Sequence, residues 1–182
     1  MSLALPIQTE RLVLRLLRPS DLKRFAAYRV DPVLARYQGW IPMSDDEAGA
    51  FITAMMRPPT LDVGDWHQIA IADRAGDELR GDIGLCVREH GAVEVGFTLM
   101  HEAQGQGFAT EALRGLARAL FRRPEVVRIV GETDERNRAS VRVLERLGMK
   151  LVSRHEAIFK QEPCVELRYE LARESTERRT AR

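Results

Sequence analysis

Lysine is almost missing from this chain. Of its 28 basic residues only Lys23, Lys150 and Lys160 are lysines, the rest being arginine. Genomic codon bias accounts for such a skew, and no function is attached to it. Cysteine is scarce too: Cys86 and Cys164 lie far apart and outside any metal-ligand spacing. That excludes a disulfide framework and favours a reduced compartment. An excess of charge of either sign is absent, with 28 basic against 27 acidic residues. Near balance argues against the basic surface of a nucleic-acid binder and against an acidic solvating tail. No apolar run approaches the roughly 18 residues that cross a bilayer. The opening residues, Met1 to Arg11, lack the basic and apolar regions of a secretory leader, so a cytoplasmic location without membrane partners is expected.

What is present is ordinary for a globular domain. The chain has 182 residues, 45% of them hydrophobic. One domain of about 100–200 residues is the default at this length. It is expected to span 1–172, with a polar tail over 173–182. No internal repeat, linker or low-complexity tract interrupts it.

Leu12, Leu14 and Leu16 alternate with Arg11, Val13 and Arg15, the pattern of a half-buried strand. Asp21 to Val30 carries Leu22, Phe25 and Ala26 at helical spacing, and Asp31-Pro32 starts a second short helix. Ser44 and Glu47 form a capping signal for a third, which Pro58-Pro59 ends. Strands are predicted at Trp66–Ala72, Leu79–Val87 and Val93–Met100, an antiparallel meander joined by turn-like breaks. The second half predicts a helix from Phe108 to Arg122, a strand over Val126–Thr133 and a helix from Asn137 to Leu147 closed by Gly148. A last hairpin, Leu151–Ile158 and Cys164–Leu171, turns at Gln161-Glu162-Pro163. The order implies an α+β fold around one mixed sheet.

The most informative stretch is Gln104-Gly105-Gln106-Gly107-Phe108-Ala109-Thr110, where a strand ends and a helix begins at once. Glycines there let backbone N–H groups approach a ligand, and the helix start favours an anion. A Walker loop is excluded, because no Gly-Lys-Ser/Thr follows. A Rossmann fingerprint is a near miss that ends in Thr110 and sits after a meander rather than opening a βαβ unit. The third pattern is Gln-x-x-Gly-x-Ala, satisfied by Gln104, Gly107 and Ala109.

That third pattern resembles motif A of the GNAT N-acetyltransferases. Thr9-Glu10-Arg11 with its following strand, and Asn137-Arg138-Ala139-Ser140 with Leu147-Gly148, resemble the signatures of the RimJ/RimL-type branch. The likeness runs from about Ile7 to Leu171; Met149 stands where an aromatic is usual. It implies a mixed, mostly antiparallel sheet of about seven strands flanked by helices, with two strands splayed at the CoA site. It further implies an acetyl-CoA-dependent transfer to a primary amine, on a protein N-terminus or a small molecule, by direct attack in a ternary complex. The implied pantetheine contacts are the backbone groups of Phe97, Thr98 and Leu99, with an oxyanion donor near Thr98 or Leu99. Gln104, Gly105, Gln106, Gly107, Phe108, Ala109 and Thr110 would hold the pyrophosphate.

Strand alternation puts Glu94, Gly96 and Thr98 on one face, which makes Glu94 the leading general base. A salt-bridged surface glutamate is its equal rival, and Asp45 or Glu47 the substitutes. No tyrosine stands in the second signature; the RimJ/RimL-type resemblance implies Ser140 as the proton donor to the departing thiolate. Asn137 either caps its helix or holds pantetheine. Arg138, Arg142 and Arg146 form a basic helix stripe, with Arg138 the candidate for a CoA phosphate. The four histidines share no ligand spacing, so no metal is expected. Tyr37, Trp40 and Trp66 are candidates for an acceptor pocket, whose walls are expected between Trp40 and Pro59. A homodimer is compatible with all of this, and a CoA-binding sensor without turnover is the alternative function. Because the loop Gln104–Gly107 is uncharged, CoA affinity is expected to rest on backbone donors and to depend weakly on salt.

Overall fold

The alternating runs assemble into one mixed sheet. In this computed structural model, which describes residues 2–173, the order is β1 (Ile7–Gln8), β2 (Leu12–Leu16), α1 (Leu22–Arg29), α2 (Pro32–Ala35), α3 (Asp45–Met55), β3 (Trp66–Asp73), β4 (Leu79–Arg88) and β5 (Ala92–Leu99). Then follow α4 (Phe108–Leu120), β6 (Arg128–Asp134), α5 (Arg138–Arg146), β7 (Lys150–Phe159) and β8 (Glu162–Ala172). The eight strands lie in the order β1-β2-β3-β4-β5-β6-β8-β7. Every neighbouring pair is antiparallel except β5 and β6.

Local chemistry sets the element ends. Asp31 Oδ1 accepts from Val33 N at 2.7 Å to start α2, with Pro32 at the first helical position. Ser44 and Glu47 form the expected capping box of α3, and Gly148 adopts φ +88° to close α5. One expectation needs correction. The last hairpin turns at Lys160-Gln161, both left-handed at φ +49° and +67°, while Glu162 and Pro163 already belong to β8. Of the expected polar tail only Arg173 is described, its N donating to Val127 O at 2.9 Å and its Nε to Val126 O at 3.0 Å; the remainder lies outside the described residues. Strand β1, two residues long, has too little period to be seen in sequence.

The sheet carries helices on both faces. On one side α4 buries Ala109, Ala112, Leu113, Leu116, Ala117 and Leu120, each leucine contributing about 1.5–3 kcal/mol. A side chain at Gly115 of α4 would meet Thr9 and Ile7, and one at Gly131 of β6 would meet Leu144 of α5, which puts both helices on that face. The other face is covered by α1, whose Arg29 reaches Asp82 in β4, and by α3, where Phe51 stacks on Phe25 of α1. Among the described residues no helix is long and apolar enough to cross a membrane.

Candidate active site

Strands β5 and β6 pair over only three residues, Ala92 to Glu94 against Arg128 to Val130. Beyond Glu94 they part: β5 continues along β4 to Leu99, and β6 continues along β8 to Asp134. The sheet therefore opens into a V with Glu94 at its vertex. Because the two strands are parallel, both lead into their helices at the open end. The starts of α4 and α5 thus sit together outside the carboxyl ends of the strands, the usual crevice for a ligand in such sheets.

The free edge of β5 has a defined polarity. Met100 N donates to Arg80 O across to β4, at 3.0 Å. Alternation then turns the amide and carbonyl of Thr98 toward β4, and those of Phe97 and Leu99 outward into the V. Both outward carbonyls are met by glutamine amides: Gln38 Nε2 donates to Phe97 O at 3.2 Å, and Gln104 Nε2 to Leu99 O at 3.0 Å. Of the three expected edge residues, Phe97 and Leu99 thus face outward and Thr98 does not. Its backbone is committed to the ladder, and its buried side chain faces the cavity described below.

The glycine loop takes the conformation its composition demands. Gly105 and Gly107 have φ of +74° and +81°, which other residues adopt only with strain. Gly107 caps α4 without a side chain, so the first-turn N–H groups receive no side-chain cap. Gln104, Gly105, Gln106 and Gly107 are exposed, whereas Ala109 is buried and Phe108 and Thr110 are half-buried. The structure adds a charge that the loop itself lacks. Arg11 Nη1 donates to Gln106 O at 3.1 Å, and its guanidinium lies 4.6 Å from the Phe108 ring centroid.

Arg11 belongs to a clasp built by the Thr9-Glu10-Arg11 segment. Glu111, one turn into α4, accepts from Thr9 Oγ1 at 2.6 Å, from Arg11 N at 2.8 Å and from Arg11 Nε at 2.7 Å. Burial pushes the Glu111 carboxyl up, but the Thr9 hydroxyl, the Arg11 amide and the Arg11 guanidinium outweigh it and hold it below its ordinary value of 4.5. A carboxylate held low stabilises the fold above its ordinary range and loses that contribution as pH falls through the depressed value. The stability difference between wild type and Glu111→Gln should therefore be full at neutral pH and shrink below about pH 4.5. Urea unfolding across that range measures it; a difference that stays constant into strong acid would remove the electrostatic role.

On the α1–α3 face the V opens into a cavity of about 470 Å³. Tyr37, Trp40, Phe51, Met55, Trp66 and Phe159 supply its apolar wall. The expected candidates Tyr37, Trp40 and Trp66 all line it, but only part of the Trp40–Pro59 stretch does; α1, residues 37–39 and strands β3, β4, β5, β6, β7 and β8 provide the rest. Five carboxylates line it, Asp82, Glu94, Glu132, Asp134 and Glu166, against a single cation, Arg29. Behind them, Arg88, Arg168, Arg136 and His155 pair with Glu94, Glu132, Asp134 and Glu166. Glu94 Oε2 accepts from Arg88 Nε at 2.7 Å, and Arg88 in turn lies 5.5 Å from the Trp66 ring centroid. The glutamate thus lines the cavity and is salt-bridged at once.

Beneath the cavity lies a polar cluster that sequence reasoning missed. Asp82, 1% exposed, accepts from Tyr28 Oη and from Arg29 Nη2 (2.8 Å) on Oδ2, and from Gln68 Nε2 (2.8 Å) on Oδ1. Burial, with the Asp82 charge beside it, pushes the Tyr28 hydroxyl well above its ordinary value. Arg29, also 1% exposed, is ringed by Phe25, Trp40, Phe51 and Tyr28. An acidic residue within a strand that is otherwise largely apolar from Gly81 to Val87 was the available signal for Asp82.

The second signature is placed at the other side of the V. Asn137 caps α5, its Oδ1 accepting from Ser140 N at 3.2 Å. The capping half of its expected role is thus seen directly. Ser140 is half-buried in the first turn of α5 and does not line the cavity that holds Glu94.

Comparison with known proteins agrees with this geometry. Residues 11–150 match the acetyltransferase (GNAT) domain family. The chain belongs to that family and is an acetyl-CoA-dependent acyltransferase. It is 27% identical over 146 residues to the uncharacterized N-acetyltransferase p20 of Bacillus licheniformis, covering 79% of this chain and 82% of that protein. Its fold is similar to a GNAT-family acetyltransferase of Bacillus anthracis (TM-score 0.82, 20% identity, 92% and 98% of the two chains). It is also similar to RimL, a ribosomal L7/L12 α-N-protein acetyltransferase solved with coenzyme A (TM-score 0.74, 19% identity, 92% and 96%). A third likeness is to spermidine N-acetyltransferase of Vibrio cholerae, solved with CoA and spermine (TM-score 0.74, 19% identity, 88% and 95%).

Proposed function

We propose that this chain transfers the acetyl group of acetyl-CoA to a primary amine of a cationic acceptor, by direct attack within a ternary complex. The observation that carries the reading is the parting of β5 and β6 at Glu94. It supplies a hydrogen-bonding edge on one strand, two helix starts at its mouth and an acidic, aromatic cavity on the far face. The outward amides and carbonyls of Phe97 and Leu99 would pair with pantetheine, and their N–H groups would polarise the thioester carbonyl. The uncapped turn at Gly107 to Thr110 would bind the pyrophosphate.

Glu94, Glu132, Asp134 and Glu166, each paired with a basic side chain, would offer an arriving ammonium a carboxylate to exchange onto, and the aromatic wall suits the carbon chain that bears it. RimL acts on a protein and the Vibrio cholerae enzyme on spermidine; both acceptor types are cationic amines, and this cavity fits that shared chemistry. Glu94 would take the ammonium proton directly or through water, Arg88 holding it in place. Ser140 would protonate the leaving thiolate. As the new amide C–N bond forms, the thioester C–S bond breaks and the sulfur takes a proton.

Free thiol should then appear only when acetyl-CoA and an amine are both present, measured over a panel of alkylamines, diamines and peptides. Glu94→Gln should lower kcat roughly ten- to a hundredfold, and Ser140→Ala should lower it as well, with CoA affinity unchanged. CoA binding without thiol release from any acceptor would favour a sensor over an enzyme. Wild-type turnover in both variants would remove the two role assignments.

A further inference from the structure

The segment between α2 and α3 crosses the V rather than packing along the sheet. Its residues Tyr37, Gln38, Gly39 and Trp40 all line the cavity. Three polar contacts fix it from three different elements. His101, in the turn after β5, lies 2.7 Å from Asp31 Oδ2, at the cap of α2. Gln38 Nε2 donates to the free-edge carbonyl of Phe97 at 3.2 Å. Lys160, at the tip of the β7–β8 hairpin, donates from one ammonium to Ala35 O at 2.8 Å and to Trp40 O at 2.7 Å.

We propose that residues 36–41 form a strap shaping the acceptor side of the cavity, with Lys160 as its positioning residue and Gln38 as its link to the cofactor edge. The inference rests on the acyltransferase reading of the V. Ala35 ends α2, where carbonyls lack partners within the helix, and Trp40 O closes the loop five residues on. A single ammonium bridging both fixes the loop's span, so the Trp40 ring stays over Arg29, 4.6 Å from its guanidinium carbon. The neighbouring Phe159 lines the cavity beside it, so hairpin tip and strap form one wall. Burial pulls the Lys160 ammonium below its ordinary pKa. Gln38 occupies a carbonyl that pantetheine would pair with, so loading the cofactor edge releases one pin while Lys160 keeps the other. Acceptor-site shape and cofactor occupancy are thereby coupled through the side chains of Gln38 and Lys160 rather than through the sheet.

Lys160→Met keeps the length of the side chain and removes the donors. Hydrogen exchange of the amides of residues 36–41 should accelerate about tenfold in this variant, with α4 and the glycine loop unchanged. KM for whichever panel amine is turned over should rise about tenfold, with kcat and CoA affinity within about twofold of wild type. Lys160→Arg, which keeps the charge and the donors, should restore most of the loss. Adding CoA should speed exchange at residues 38–40 in wild type but not in Gln38→Leu, where that pin is already gone. Unchanged exchange in Lys160→Met, or a parallel loss of CoA and acceptor binding, would overturn the strap. Absence of thiol release by wild-type protein would instead overturn the enzymatic reading, and the exchange measurements would still decide the strap.

Discussion

Asp82→Ala should cost the fold about 3–5 kcal/mol, the usual result of removing one partner from a buried ion pair. The carboxylate is the common acceptor for Tyr28, Arg29 and Gln68, so its loss strands three donors at once. The guanidinium of Arg29 suffers most, being buried among aromatic rings with Asp82 as its paired carboxylate. Urea unfolding measures the cost directly. The pair itself need not add net stability, because desolvating two charges offsets much of their attraction. The double variant Asp82→Ala, Arg29→Met should therefore recover a large share of the loss. A single variant within about 1 kcal/mol of wild type would mean that the cluster is not the closed network its geometry describes. The cluster underlies the cavity floor, so acceptor KM should rise in the single variant even where the protein remains folded.

Gly81→Ala should destabilise by about 3 kcal/mol, the upper part of the usual range for overpacking. Gly81 sits opposite Leu99 in the β4–β5 ladder. A Cβ there would lie 2.9 Å from Leu99 Cα and 2.9 Å from Leu99 Cδ2, and closer still to the carbonyl oxygen of Thr98. Two of these are backbone atoms of the strand that lines the V, so relief requires moving the strand. CoA affinity should fall with stability for that reason. Gly84→Ala, on the same strand, is the control: its Cβ would meet only the Trp66 ring, at 3.2 Å, and the Gln68 side chain, at 3.4 Å. Side chains can yield, so its cost should be small. Equal losses at both positions would show that packing on the cavity face matters as much as the ladder behind it.

Much of this architecture was legible in sequence because its signals are local. The β3–β4–β5 meander, the capping box at Ser44 and the glycines before α4 are each set by residues within a few positions of one another. The glycine loop is the strongest case, since a left-handed backbone and a helix start both leave their mark in composition. Glu94 could be placed on its face by alternation alone. Its pairing with Arg88 was left open, because that depends on the β4–β5 register. The uncharged loop has a charged neighbour that its own sequence does not contain. Arg11 stands beside it, arriving from almost a hundred positions away and already engaged by Glu111.

What stayed hidden has one common cause. Asp82 with Arg29, Gln38 with Phe97, and Lys160 with Ala35 and Trp40 join residues that no sequence period relates. Each sits where two distant elements meet across the cavity. The hairpin turn was misplaced for a different reason: Pro163 looks like a breaker, yet a proline is tolerated near the start of a sheet strand. The Lys160-Gln161 turn carries neither glycine nor asparagine to announce its two left-handed residues.

The three-residue seam between β5 and β6 has a consequence for traffic. Helices α4 and α5 lie on one face of the sheet, and the acidic cavity opens on the other. Under the proposed reading, a V that parts the sheet would give the two reactants separate doorways. The nucleotide end of one would rest against the helix starts while the amine arrives from behind. Neither needs to vacate the entrance for the other to leave. An acetylated product, having lost its positive charge, would also lose its attraction to the carboxylates at the rear door, and could depart while the spent thiol is still held at the front.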